Sequence, residues 1–279
     1  MVSTQTESDA PASERSFTAD MNFLARSCSA PKVNNGDYSQ NIFPLETMRV
    51  TMWDGETLAS PPRLEREGFC RTTHKVNLDG LGEDPSVIPT YNATLSHLLK
   101  ELTGADEVVV MPVAMIRNQS DTKVTQERVR GVPANFAHSD STRQGGYELE
   151  EHFFEPPGRP NPRRIAQFNI WRLLSPAPAN MPLALCDARS VQPDDIVAGP
   201  AYFPSKDISV DTAFFHANDH FRWVYFSKLT SEQVLVFKQF DTDPGQPQRV
   251  PHAAFLDPTA QNAHSRISVE SRCSARWYD

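Results

Sequence analysis

Within residues 132–140, VPANFAHSD, His138 and Asp140 stand two positions apart. On extended backbone, residues i and i+2 point to one side of the strand, so imidazole and carboxylate converge on one point. They are two members of the two-histidine, one-carboxylate face that holds non-haem Fe(II). The pair alone carries little weight. With 8 histidines and 35 acidic residues in 279, about one His-x-acid pair arises by chance. Its value depends on a third ligand and on a partner for a cosubstrate.

A distal ligand is expected on a late strand, far from His138. His216 and His220 share a face only on a helix, as in a zinc HxxxH site. Their flanks, Ala213-Phe214-Phe215 and Phe221-Arg222-Trp223-Val224-Tyr225, are aromatic and β-branched and argue for strand. Packing or hydrogen bonding is their ordinary role. His152 lies in a loop and His264 beside the last strand. His252 is better placed, in Val250-Pro251-His252-Ala253-Ala254-Phe255, where Pro251 restricts the backbone to extended conformations. Fourteen residues later come Arg266 and Ser268. On a strand these face the same way, so a guanidinium fork and a hydroxyl can grip one carboxylate. Fe(II) held on one face keeps three positions open. A 2-oxo acid chelates two of them, and its far carboxylate then needs a buried cation, for which Arg272 competes with Arg266. The ordinary alternative makes Arg266, Glu270 and Arg272 the charged outer face of an edge strand.

The elements that must position these residues are mostly short strands. Runs at 48–53, 69–78, 107–116, 165–174, 182–186, 201–203, 212–216, 221–226, 234–240 and 266–274 read as β. Residues 89–103 form the clearest helix, with Leu95, Leu98, Leu99 and Leu102 at 3/4 spacing and Gly104 at the stop position. Residues 141–163 read as a long proline-dense loop, and a loop of that length often serves as a lid or binding wall. Residues 122–130 are charged and read as an exposed loop. This pattern predicts an α+β protein: a double-stranded β-helix of the jelly-roll or cupin-like kind with flanking helices. The expected organisation is a disordered tail over 1–16 and a single domain over 17–279.

A net charge of −8 with no basic block argues against nucleic acid or an acidic membrane surface as partner. Cys28, Cys70, Cys186 and Cys273 are far apart with no CxxC pair, which fits reduced structural thiols. The first twenty residues lack an apolar signal core, and no run reaches membrane-span length. A cytoplasmic protein with a small-molecule substrate is expected, and a homodimer stays open.

A resemblance joins these observations. Its segments are Asn169-Ile170-Trp171-Arg172-Leu173, residues 182–190 (PLALCDARS), Arg222-Trp223-Val224-Tyr225-Phe226 and Phe237-Lys238-Gln239-Phe240-Asp241. They continue with residues 251–258 (PHAAFLDP) and Arg266-Ile267-Ser268-Val269-Glu270-Ser271-Arg272. Together they cover residues 130–272 well and the front half loosely. In them the chain resembles the fungal and bacterial oxygenases that include the gibberellin desaturase, the aspergillic-acid hydroxylase and a component of cephamycin methoxylation. The resemblance implies a double-stranded β-helix enzyme using Fe(II), 2-oxoglutarate and O2 on small natural products. It makes His138, Asp140 and His252 the iron ligands and Arg266 with Ser268 the 2-oxoglutarate anchor. This chain departs at Leu174 and in the longer 141–163 loop, which leaves the substrate open.

Asn169 and Trp171 share the inward face of their strand with the cosubstrate site, and Tyr91 is a candidate pocket residue from the helix start. Arg143 and Arg172 are candidates to clamp a substrate carboxylate, although Trp171 is ordinarily a core residue and Arg172 ordinarily a surface ion pair. The expected substrate is an amino acid or compact metabolite, undergoing hydroxylation, desaturation or oxidative cyclisation such as aziridine formation. Two rivals use the same residues differently. One is a cupin-like dioxygenase or isomerase that ignores 2-oxoglutarate, and the other is a non-catalytic β-sandwich binding protein.

Overall fold

The strand-forming runs become sixteen β-strands among the described residues of the computed structural model, which are 13–81, 83–120, 130–154 and 161–279. The first part of the chain carries β1 (Ser16–Leu24), β2 (Val33–Asn34), β3 (Leu45–Asp54), β4 (Phe69–Thr73) and the helix α1 (Ile88–Thr103). Then come β5 (Glu107–Val110), β6 (Met115–Asn118), β7 (Arg130–Gly131), β8 (His138–Ser139) and α2 (Arg143–Leu149). Next are β9 (Arg164–Leu173), β10 (Leu183–Cys186), β11 (Ile196–Phe203) and β12 (Ile208–Phe215). The chain closes with β13 (Trp223–Tyr225), β14 (Gln233–Asp241), β15 (His252–Ala254) and β16 (Ile267–Trp277).

A nine-stranded sheet runs β1-β3-β13-β10-β15-β8-β12-β11-β2, and a seven-stranded sheet runs β4-β14-β9-β16-β6-β7, with β5 also pairing β16. Facing each other, they make the jelly-roll double-stranded β-helix. Phe69, Trp171, Leu185, Val224, Leu235 and Phe237 form one core cluster drawn from both sheets. α1 covers the outer side of the smaller sheet. Its Leu95, Leu98 and Leu99 pack on Ala166, Phe168 and Ile170 of β9, each such side chain contributing about 1.5–3 kcal/mol by burial. β9 is therefore buried on both faces, and alternation decides which residue goes where. Residues 167, 169, 171 and 173 face the interior of the sandwich, and 166, 168, 170 and 172 face α1.

Several segments differ from the sequence expectation or fall outside the described residues, and the expected 69–78 strand ends at Thr73. Residues 107–116 form not one strand but β5 and the start of β6, because Pro112 between them cannot donate to a ladder. Of the expected tail, residues 1–12 lie outside the described residues, while the Arg15 backbone N–H donates to Thr57 Oγ1 (2.8 Å) and Ser16 pairs with Trp53. Most of the 122–130 stretch is also outside them.

The expected 141–163 loop contains α2 and a π-helical turn over Glu150–Phe154, with residues 155–160 outside the described residues. Thr142 caps α2 by accepting the Gly145 N–H (3.1 Å). Gly145 and Gly146, which argue for a loop in the sequence, are there for close approach. A Cβ on Gly145 would lie 1.9 Å from the Asp211 carbonyl oxygen of β12, and one on Gly146 would lie 2.2 Å from the Phe240 ring. Gly145→Ala is expected to destabilise the protein by about 1–3 kcal/mol in urea denaturation. A variant as stable as the parent would mean that α2 lifts from β12 without cost.

Candidate metal centre

β8 lies between β15 and β12 in the nine-stranded sheet, and His138 is in register with His252 on one side and Phe214 on the other. The two imidazole rings are 4.3 Å apart. One donor atom from each of His138, Asp140 and His252 lies within 4.8 Å of the other two. The Nδ1 of His138 bonds the Phe136 carbonyl (2.9 Å) and that of His252 the Val250 carbonyl (3.2 Å). A carbonyl can only accept, so each Nδ1 carries the hydrogen and each Nε2 offers its lone pair.

Burial, followed by the neighbouring His252, pushes the His138 imidazole down to about 4, and burial lowers His252 as well. For Asp140, burial opposes ionisation. Arg272, both histidines and the Asn169 hydrogen bond outweigh it and hold the carboxyl down at about 2. Two neutral imidazoles and one carboxylate are the protonation states that bind a divalent transition metal, and the set fits ferrous iron.

These shifts predict a pH dependence. His138 and His74, the latter lowered to about 4 by burial and by Arg172, sit below the ordinary 6.5. Between 6.5 and about 4 the unfolded chain binds protons that the folded chain does not. Stability is therefore fully present above 6.5 and declines as pH falls toward 4. Asp140 contributes only below this window, between 3.8 and about 2. Urea midpoints measured from neutral pH downward should decline through the histidine window, and a flat profile there would refute the assignment.

The aspartate is gripped from the opposite sheet. Asn169 Nδ2 of β9 donates to Asp140 Oδ2 (2.6 Å), and Arg272 Nη2 of β16 donates to Oδ1 (2.7 Å). Gln239 of β14 accepts from the Asp140 backbone N–H (2.9 Å) and from Ser139 Oγ (2.8 Å). It reaches them because the β14–β9 register shifts between Lys238 and Phe240. Sequence reasoning missed Gln239. The available signal was two polar residues inside the apolar run 234–240, which burial tolerates only with partners.

Along the same inner wall, β16 pairs Arg272 with Asn169, Glu270 with Trp171 and Ser268 with Leu173. Just beyond, the buried Arg266 donates through Nε to Ser268 Oγ (3.1 Å) and through Nη1 to the Met181 carbonyl (3.2 Å). Its guanidinium carbon sits 4.9 Å from the centre of the Trp171 ring. Burial lowers Arg266 to about 9, still protonated at neutral pH. A cavity of about 110 Å³ opens beside His138, Asp140 and Arg272, with Arg117, Phe136 and Phe214 also in its lining.

Other candidates fall elsewhere. Arg172 and Tyr91 are not at the metal centre. The alternation that turns Asn169 and Trp171 inward turns Arg172 toward α1, where its Nε donates to Tyr91 Oη (3.0 Å) and its Nη2 to the His74 carbonyl (3.1 Å). Arg143 is spent at the start of α2, on Gln248 Oε1 (3.1 Å) and the Asp241 carbonyl (3.4 Å). His216 bonds the Leu24 carbonyl (2.9 Å) and His220 pairs with Asp195 (2.8 Å). Among the described residues, His138, Asp140 and His252 are the group of metal-binding side chains that converges.

The family model described as oxidoreductase/YMDC permease-like domain matches residues 18–275. The chain belongs to this family. Similar to this oxidoreductase/YMDC permease-like chain is a protein named hydroxylase/desaturase efuI, from Hormonema carpetanum. It is 27% identical over 271 residues, which span 89% of this chain and 90% of the relative. Another, from Aspergillus novofumigatus, is named Fe(II)/2-oxoglutarate-dependent dioxygenase nvfI and is 29% identical over 188 residues, 66% of this chain and 65% of that one. A solved structure of the iron and alpha-ketoglutarate-dependent endoperoxidase NvfI superposes with a TM-score of 0.80 at 23% identity, covering 95% of this chain and 99% of that one. That likeness establishes the double-stranded β-helix fold. Among the described residues no helix is long and apolar enough to cross a membrane.

Proposed function

We propose that this oxidoreductase is a non-haem Fe(II)- and 2-oxoglutarate-dependent oxygenase acting on a small natural-product precursor, an amino acid or similarly compact metabolite. The observation that carries the reading is the convergence of His138, Asp140 and His252 within 4.8 Å, with Arg266 and Ser268 further along the same inner wall. The names of the relatives support the cosubstrate. Bound iron, with 2-oxoglutarate and O2, supplies oxidation of an unactivated C–H bond coupled to release of succinate and carbon dioxide.

The protein's own groups do the positioning. His138, Asp140 and His252 hold the metal. Arg266 and Ser268 take the far carboxylate of 2-oxoglutarate, which must sit about one molecule's length from the metal. Arg272 is bonded to Asp140, too near the metal for that task, and holds the aspartate ionised instead. Asn169 serves the aspartate from its other oxygen rather than the cosubstrate. Trp171 supports the guanidinium of Arg266, and Phe136 and Phe214 keep water from the cavity wall. Placement of one C–H bond then decides between hydroxylation, desaturation and ring closure. The net charge of −8 disfavours binding to nucleic acid or an acidic membrane surface, in keeping with free small molecules as substrates of a cytoplasmic enzyme.

Anaerobic addition of Fe(II) and 2-oxoglutarate should produce a weak visible charge-transfer band, and oxygen with a substrate panel should then release succinate in step with substrate loss. Metal binding with no consumption of 2-oxoglutarate would turn the reading toward a cupin-like dioxygenase or isomerase.

A further inference from the structure

Glu270 has no role in the scheme above. It lies on the inner side of β16 between Ser268 and Arg272, opposite Trp171 on β9 and Met115 on β6. Among the described residues its carboxylate makes no hydrogen bond and no ion pair, while the Nη2 of nearby Arg272 is engaged by Asp140. Burial, and then the charge of Asp140, pushes its carboxyl up, against the pull of Arg272, Arg117 and His138. Half-buried on the inner wall and without a bonded partner among the described residues, this carboxylate is complementary to a cation that arrives with the ligand.

We propose that Glu270 is a specificity-determining residue that receives an ammonium group of the substrate, so that the enzyme selects amine-bearing compounds. The inference rests on the Fe(II)/2-oxoglutarate reading of the same site. Ferrous iron and the anionic cosubstrate offer Glu270 no hydrogen-bond donor, which leaves the substrate to supply one. Arg117 stands on the adjacent strand, paired with Ser268 and diagonal to Glu270, and lines the cavity beside His138. An amine-bearing compound therefore meets a negative charge on the inner wall close to the metal centre, which a hydroxy acid of the same shape does not use.

The test uses anaerobic full-length protein loaded with Fe(II). Calorimetric binding of 2-oxoglutarate is measured first, followed by the proteinogenic L-amino acids and their matching 2-hydroxy acids. Succinate is counted after oxygen is admitted. In the parent enzyme at least one amino acid should bind and turn over, about a hundredfold tighter than its hydroxy counterpart. Glu270→Gln keeps the shape and a hydrogen-bond donor but removes the charge. It should erase that preference by weakening the amine and sparing the hydroxy acid. A preference that survives in Glu270→Gln, a parent enzyme that binds both series equally, or one that binds no amine overturns the proposal. Failure of the parent to bind 2-oxoglutarate would instead overturn the reading beneath it.

Discussion

His252→Ala is expected to lose ferrous-iron affinity by more than about a hundredfold, and succinate formation with it. Removing a mere supporting hydrogen bond to a metal ligand costs about 10–100-fold, so deleting one of two imidazoles costs more. The effect is local to the metal because His252 faces His138 across one register position and fixes its own ring through the Val250 carbonyl. His252→Gln, closer in volume, separates loss of metal from loss of packing at this buried position. His220→Ala, at the surface pair with Asp195, should leave iron binding intact. Iron retained in His252→Ala and lost in a His216 or His220 variant would refute the centre.

The second large effect belongs to the cosubstrate. Arg266→Ala should weaken 2-oxoglutarate by about 3–5 kcal/mol, roughly a thousandfold in Kd, because it strands a buried carboxylate without its cation. Arg266→Lys should recover part of this, since it restores the charge without the fork. Arg272→Ala should act differently. It frees Asp140 Oδ1 and removes the cation that keeps Asp140 ionised, so iron affinity falls about 10–100-fold while the anchor stays in place. Titrations of iron and of 2-oxoglutarate on the two variants distinguish the roles, and reversed results would mean that the two arginines have been exchanged.

The metal centre was legible because its members obey strand periodicity. His138 and Asp140 are two apart, and Pro251 with its restricted neighbour Val250 leads an extended chain into His252. The helix over α1 was legible for the corresponding reason, a 3/4 leucine repeat ending at Gly104. Arg172 and Tyr91 were misplaced by neglect of the same rule, since one strand cannot turn both Trp171 and Arg172 inward. α2 was hidden because Gly145 and Gly146 weaken helix propensity, and their need to approach Asp211 and Phe240 is set by partners distant in sequence. Gln239 was hidden by a bulge, a one-residue slip that period-2 reading does not anticipate.

His138, Asp140 and His252 all belong by backbone to the nine-stranded half or its immediate continuation, yet the Asp140 carboxylate and amide are held by Asn169, Arg272 and Gln239 of the seven-stranded half. The cross-sheet tie therefore runs through the aspartate and not through the ion, so the same three bonds that orient the carboxylate for a metal also fasten the two halves of the sandwich to each other.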